Sequence, residues 1–162
     1  MAVLPPDEYY KSLPRKRVGA GVLFFDGADR VMLVKPNYKE GWIIPGGSAD
    51  AYESPMAAAV LEVKEELGVD IKNPKLICVS YAKEHGIKTE ALHFIFSGGI
   101  LSAEQIQNIQ LQKEELDAFQ FVSVAEAEKI LTIGFKKRLS ECFKLCKAGT
   151  VAYFETASSA AD

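Results

Sequence analysis

The chain has little of what would mark a membrane, secreted or nucleic-acid-coating protein. No apolar run approaches the roughly 18 residues of a membrane-spanning helix, so no helical span is expected. The N-terminal MAVLPPDEYYKSLPRKR has no apolar stretch after a basic start, and is not read as a secretory signal. Cysteine is scarce: Cys78, Cys142 and Cys146 are odd in number and form no C-x-x-C pair, which points to reduced thiols in a cytoplasmic protein. Cys142 and Cys146 stand one helical turn apart, with no nearby histidine or further cysteine to complete a metal set. Histidine is limited to His85 and His93, both read as structural or surface residues. A large excess of one charge is missing too. A net charge of −3 excludes broad attraction to extended nucleic acid or anionic membrane, and leaves room for a small anionic ligand at a local cationic site.

What is present reads as one mixed α/β unit. Its 162 residues, 48% hydrophobic and 25% charged, suit a single globular domain over residues 15–155. An irregular arm of residues 1–14, with Pro5, Pro6 and Pro14, precedes it, and a frayed tail of residues 156–162 follows. A homodimer formed through the arm is left open. Arg15-Lys16-Arg17 is a solvated basic patch or a phosphate contact. Val18 to Phe25 and Arg30 to Lys35 read as a hairpin around Asp26-Gly27-Ala28-Asp29. Trp42-Ile43-Ile44 reads as a short strand that Pro45-Gly46-Gly47 ends, with Trp42 in the core. Leu76 to Lys83, Ala91 to Ser97 and Phe119 to Val124 are further strands. Ser102 to Gln107, Ala125 to Leu131 and Phe135 to Lys147 are helical, the last with an apolar stripe at Phe135, Leu139, Cys142, Phe143 and Cys146.

The best-marked helix lies between Ser54, a suitable N-cap before Pro55, and Gly68, a suitable residue just past its end. At 100° per residue, Glu62, Glu65 and Glu66 fall within about 100° of one another. Met56, Val60, Val63 and Leu67 gather on another side, roughly 130° away, and are read as the buried face. Like charges at this spacing destabilise a helix by about 0.2–0.5 kcal/mol, and carboxylates sit poorly near its negative C-terminal end. A solvated acidic face is one reading. The other is a cation site, since hard oxygen ligands on a rigid face suit Mg²⁺ or Mn²⁺, and upstream glycines let backbone approach the ion or a phosphate.

The segment Gly47 to Val69 resembles the signature of the Nudix hydrolases, G-x5-E-x7-R-E-U-x-E-E-x-G-U with U bulky and aliphatic. Gly47, Glu53, Glu62, Val63, Glu65, Glu66, Gly68 and Val69 match, and Leu61 stands where the arginine belongs. The resemblance implies an α/β/α sandwich around a mixed β-sheet. It implies hydrolysis of a pyrophosphate bond in a small nucleotide-type substrate, a nucleoside diphosphate linked to another group, with Mg²⁺ or alternatively Mn²⁺. It also implies that Glu62, Glu65 and Glu66 hold the metal, that the Gly46 carbonyl adds a ligand, that Glu62 is a candidate for activating water and that Glu53 supports the helix from the loop. Many members recruit a further acidic residue beyond the box; Glu115 and Glu114 are the candidates here. Tyr38 and Tyr81 are candidates for stacking on a base. The accessory residues of the ADP-ribose and diadenosine polyphosphate subgroups are absent where this chain reads Glu84-His85-Gly86.

An arginine offers carboxylates a rigid, permanently charged fork, and Leu61 offers neither charge nor donor. Lys64 points away from the acidic face. Leu61 either extends the packed face while another cation compensates, or leaves a weakened or silent domain that binds a nucleotide-like ligand as a sensor or interaction module. If the missing arginine limits the site, Leu61→Arg raises turnover or tightens Mn²⁺ binding, measured by titration against the wild type. Unchanged or lower values mean that the surroundings have adapted to leucine.

Overall fold

The run Val18–Phe25 carries no polar side chain, and a strand of that kind needs cover on both faces. In the computed structural model, which describes residues 4–84, 86–132, 136 and 139–156, the run lies within β1 (Arg17–Phe25), joined by a tight turn to β2 (Val31–Pro36). The turn forms where the sequence places it. The Asp26 carboxylate accepts from the Ala28 and Arg30 amides at 2.9 Å each and from Arg30 Nε at 2.7 Å.

Beyond the Phe25–Val31 pair the two strands part. Residues 43–49 fill the opening. Ile43 bridges Val34, the Val22 amide donates to the Pro45 carbonyl at 2.9 Å, and β3 (Gly46–Ser48) runs antiparallel to β1. This corrects the expected strand at Trp42-Ile43-Ile44. Trp42 and Ile43 make only isolated bridges, and Pro45-Gly46-Gly47 leads into regular pairing instead of ending it. The cause is close backbone approach. Gly46 has φ 132°, and a Cβ there would overlap the Ala20 carbonyl.

Helix α2 (Pro55–Leu67) packs over β1 and β3. Ser54 Oγ accepts from the Ala57 amide at 3.1 Å, and Gly68, at φ 69°, closes the other end by donating to the Lys64 carbonyl at 3.0 Å. Its buried residues are Ala58, Ala59, Val63, Glu66 and Leu67. That face is rotated about 70° from the expected one, toward the glutamates. Met56 is 43% exposed and Leu61 48% exposed, so neither belongs to the packed side. The small Ala58 and Ala59 let the helix lie close to the glycine-bearing strands.

The remaining elements are β4 (Lys75–Ala82), β5 (Ala91–Ile100), α3 (Ala103–Gln107), β6 (Leu116–Val122), α4 (Val124–Ile130), α5 (Leu139–Ala148) and β7 (Ala152–Thr156). The sheet is seven-stranded, in the order β6-β2-β1-β5-β4-β7 with β3 beside β1; β1–β5 and β4–β7 are parallel and the other pairs antiparallel. Alternation along the strands sends Val22, Phe24, Met32 and Val34 toward Ala59, Val63 and Leu67 of α2. Leu23, Phe25, Val31 and Leu33 turn the other way, toward Ala127 of α4 and Leu139 and Cys142 of α5. The expected α/β/α sandwich around a mixed sheet is what forms.

The segment read as an irregular arm contains α1 (Pro6–Ser12), started by Pro6 with Asp7 and Glu8 in its first turn and burying no residue. Strand β7, which the sequence reading left unassigned, adds a parallel edge beside β4 and takes Thr156 from the expected tail. The α5 stripe faces the core as expected; Phe135 and His85 lie outside the described residues. Cys142 Sγ lies 3.4 Å from Cys78 Sγ, and Cys146 Sγ lies 3.2 Å from Ser97 Oγ. Among the described residues no helix is long and apolar enough to cross a membrane.

Two substitutions separate the true buried face of α2 from the expected one. Ala59→Leu should lower stability by about 1–3 kcal/mol through overpacking, whereas Leu61→Ala should change it by less than about 0.5 kcal/mol. Urea unfolding of both variants gives the comparison.

Candidate functional site

Four loops meet at the end of the sheet where β1 begins, β2 ends and β6 begins: residues 37–41, 49–54, the described residues 83–84 and 86–90, and 111–115. The carboxylates of α2 face this junction. Glu66 is 3% exposed, and its Oε2 accepts from the Gly46 amide at 2.8 Å. Glu62, half-buried, lies against Gly47, where a Cβ would overlap its carboxylate. Glu65 is exposed. Glu53 closes a turn with Asp50: its Oε2 accepts from the Asp50 amide at 3.0 Å and its own amide donates to the Asp50 carbonyl at 3.1 Å. It remains close enough to Glu62 for repulsion.

The loop before β6 is held by α2 and β2 together. The Gln110 amide donates to the Leu67 carbonyl at 2.9 Å and the Gln112 amide to the Glu66 carbonyl at 3.1 Å. From β2, the Asn37 amide donates to the Glu115 carbonyl at 2.8 Å and Asn37 Nδ2 to the Glu114 carbonyl at 2.9 Å. The Glu115 charge reaches Glu62, Glu66 and Tyr38. The Glu114 carboxylate appears in none of those interactions; its carbonyl serves Asn37. Sequence reasoning missed Asn37 and Gln112. Only Asn37 left a signal, as a short amide just past a strand, a type that often bonds to backbone.

Burial and mutual repulsion load these groups. Burial first, then Glu62 and Glu115, push the Glu66 carboxyl from 4.5 up to about 7, against the opposing pull of the Gly46 hydrogen bond and Lys39. Burial also raises Glu62, with Glu65, Glu115, Glu53 and Asp50 adding to it. Among the described residues the ion pairs are Lys16–Glu90, Arg30–Asp26, Lys64–Asp70, Lys144–Glu141 and Lys147–Asp29, and none includes a box glutamate. Leu61, being exposed, does not extend the packed face.

Desolvated, unpaired carboxylates are a donor set that a hard divalent cation fits. Among the described residues no three such groups converge as a ready-made cage. Mg²⁺ does not require one, because it takes one or two carboxylates and completes its shell with water and phosphate oxygens.

Other candidates fall beside the site or away from it. Trp42 packs into the layer under α4 and α5. The Tyr81 hydroxyl donates to Glu90 at 2.7 Å, and Lys16, which pairs with Glu90, lies 5.8 Å from its ring. Arg17 bonds Thr89. His93 lies in β5 beside Gly19. A cleft of about 280 Å³ runs from Lys16 and Arg17 past Asp50 to Glu53, at the edge of the site. A larger one, about 430 Å³, lies at the other end of β5 and includes no box glutamate.

The raised Glu66 carboxyl links stability to pH. Its folded-state value lies above the unfolded one, so the contribution is complete below about 4.5 and is lost as pH rises through about 7. In EDTA, the melting temperature of the wild type should therefore fall between pH 5 and pH 8 by the equivalent of roughly 3 kcal/mol. Glu66→Gln, which keeps an acceptor for Gly46, should flatten most of that fall. Parallel wild-type and variant profiles would mean that Glu66 is not the desolvated group.

Comparison with known proteins agrees with this geometry. Over 66 residues the chain is 30% identical to YjhB of Bacillus subtilis, a match that spans 41% of this chain and 32% of YjhB. It is 26% identical over 126 residues to human diphosphoinositol polyphosphate phosphohydrolase 2, covering 77% of this chain and 70% of that protein. The crystal structure of a MutT protein from Methanosarcina mazei superposes with a TM-score of 0.69 at 19% identity, covering 84% of this chain and 99% of the other. The NUDIX domain model matches residues 15–143, from the basic patch into α5, and the chain belongs to the NUDIX family.

Proposed function

We propose that this chain is a divalent-cation-dependent hydrolase of phosphoanhydrides, and that its substrate is a nucleoside diphosphate linked to another group. The observation that carries the reading is the gathering of Glu53, Glu62, Glu65, Glu66 and Glu115 around Gly46–Gly47, with no cation paired to any of them among the described residues. Glu62, Glu65, Glu66 and the Gly46 carbonyl would hold Mg²⁺, or Mn²⁺ as the alternative. Bound there, the cation supplies charge neutralisation on the anhydride oxygens and a lowered pKa for water.

The chain's own groups do the rest. The Gly46 amide fixes the Glu66 carboxylate, and the Glu53–Asp50 turn braces the loop that leads into α2. Glu62 takes a proton from the water as its oxygen attacks phosphorus and the anhydride P–O bond breaks. Glu115, set by Asn37, is the other candidate for that proton. Tyr38, 62% exposed and within the field of Glu62, Glu66 and Glu115, offers an aromatic face to a base.

A non-catalytic nucleotide-binding module is the second reading, and the leucine at position 61 is the observation that favours it. A panel separates the two: ADP-ribose, a nucleotide sugar, diadenosine tetraphosphate, a nucleoside triphosphate and, because of the human relative, a diphosphoinositol polyphosphate. Each is assayed with Mg²⁺, Mn²⁺ or EDTA. Metal-dependent product is expected from at least one compound, with Glu66→Gln lowering turnover by on the order of 10²-fold. Calorimetric binding without product, or turnover indifferent to Glu66→Gln, would overturn the hydrolase reading.

A further inference from the structure

A site this rich in carboxylates has to receive a polyanion, and the cation usual to the box is missing at Leu61. Near the junction Lys16 pairs with Glu90 and Arg17 bonds Thr89, whereas Lys39, Lys83, Lys88 and Lys113 enter no ion pair among the described residues. Of these four, Lys39 stands with its ammonium 5.3 Å from the centre of the Tyr38 ring. An ammonium over an aromatic face keeps its charge while shedding part of its water.

The backbone around Lys39 is anchored on both sides. Before it, Asn37 bonds the carbonyls of Glu114 and Glu115. After it, the Trp42 amide donates to the Ile130 carbonyl at 3.3 Å, and Gly41, at φ 89°, lies so close to Thr132 that a Cβ would sit 3.0 Å from its methyl group. The loop that clamps Glu115 therefore also presents Lys39. The field at the ammonium has two sources: Glu66 attracts it and Lys88, from the loop before β5, repels it. Lys39 is thus within the field of both Glu66 and a second lysine, a like charge that an incoming anion would relieve.

We propose that Lys39 is a substrate-binding residue of this site, its ammonium taking a phosphate oxygen, with Lys88 as a second cation for the same polyanion. The site then keeps a positive charge despite Leu61, but keeps it on the rim that meets the substrate instead of among the box glutamates. The proposal rests on the hydrolase reading for the nature of the substrate, and its test has a readout that does not need turnover.

The probe is α,β-methylene-ADP, titrated calorimetrically with and without Mg²⁺; Mn²⁺ alone is titrated by electron paramagnetic resonance. Lys39→Ala should weaken probe binding by about tenfold, as expected for a lost charge-assisted hydrogen bond. Lys39→Arg should stay within about threefold of wild type, and Lys39→Ala/Lys88→Ala should lose more than the single variant. Mn²⁺ affinity should not fall in Lys39→Ala, and with a turned-over substrate the loss should appear in KM with kcat within about threefold. Wild-type protein that does not bind the probe, probe binding unchanged in Lys39→Ala, or a loss confined to Mn²⁺ affinity would overturn the proposal. Probe binding lost in Lys39→Ala without turnover of any substrate would uphold Lys39 and sink the hydrolase reading; turnover with unchanged probe binding would do the reverse.

Discussion

The bond from the Gly46 amide to the buried carboxylate of Glu66 is the joint on which the rest of the site depends. It fixes α2 to β3, and β3 is seated in the opening where β1 and β2 separate. The same residue's carbonyl receives the Gln112 amide and so positions the loop bearing Glu115. One glutamate therefore ties together helix, strand and distal loop. Burying a carboxylate with a single hydrogen bond from an amide and no paired cation is unfavourable unless something else neutralises it. The fold accepts that cost where a ligand can offset it.

The parts of this arrangement that were legible in the sequence are those governed by nearby residues. Ser54, Pro55 and Gly68 mark the ends of α2 because capping acts within one turn, and Asp26 marks the hairpin because its carboxylate binds amides two and four residues on. The alternation in β5 that sends Phe94 and Phe96 to one face and Ile95 to the other is short-range in the same way. What escaped was set by distant partners. Met56 and Val60 look like a core face until the glycines of β3 draw Ala58 and Ala59 inward and Glu66 with them. Gly46 and Gly47 look like a stop until β1 offers them an edge, and β7 has no partner in its own neighbourhood of the chain. Glu114 and Glu115 are indistinguishable as neighbours. Asn37, far away in sequence, binds both carbonyls, and of the two side chains it is Glu115 whose charge meets Glu62 and Glu66.

Leu61 takes on a different meaning once its exposure is known. A leucine packed into the core would have made the substitution a matter of shape. Half-exposed, it leaves the carboxylates with their mutual repulsion intact, which adds to burial in raising the proton affinity of Glu62 and Glu66. Neutralisation is then left to whatever enters the site.

The clamp on Glu115 separates where that residue stands from how the chain reaches it. Between Leu101 and Ile109 the chain leaves β5, makes the short α3 and returns; Leu101, Ile106 and Ile109 pack into the core beside α2, and the residues between them are exposed. Because α2 and Asn37 fix the landing point, the exposed residues of that excursion, 102–105 and 107–108, can change without disturbing the acidic cluster. A chain built this way can vary its outer surface beyond the far end of β5 while the chemistry at the near end stays in place.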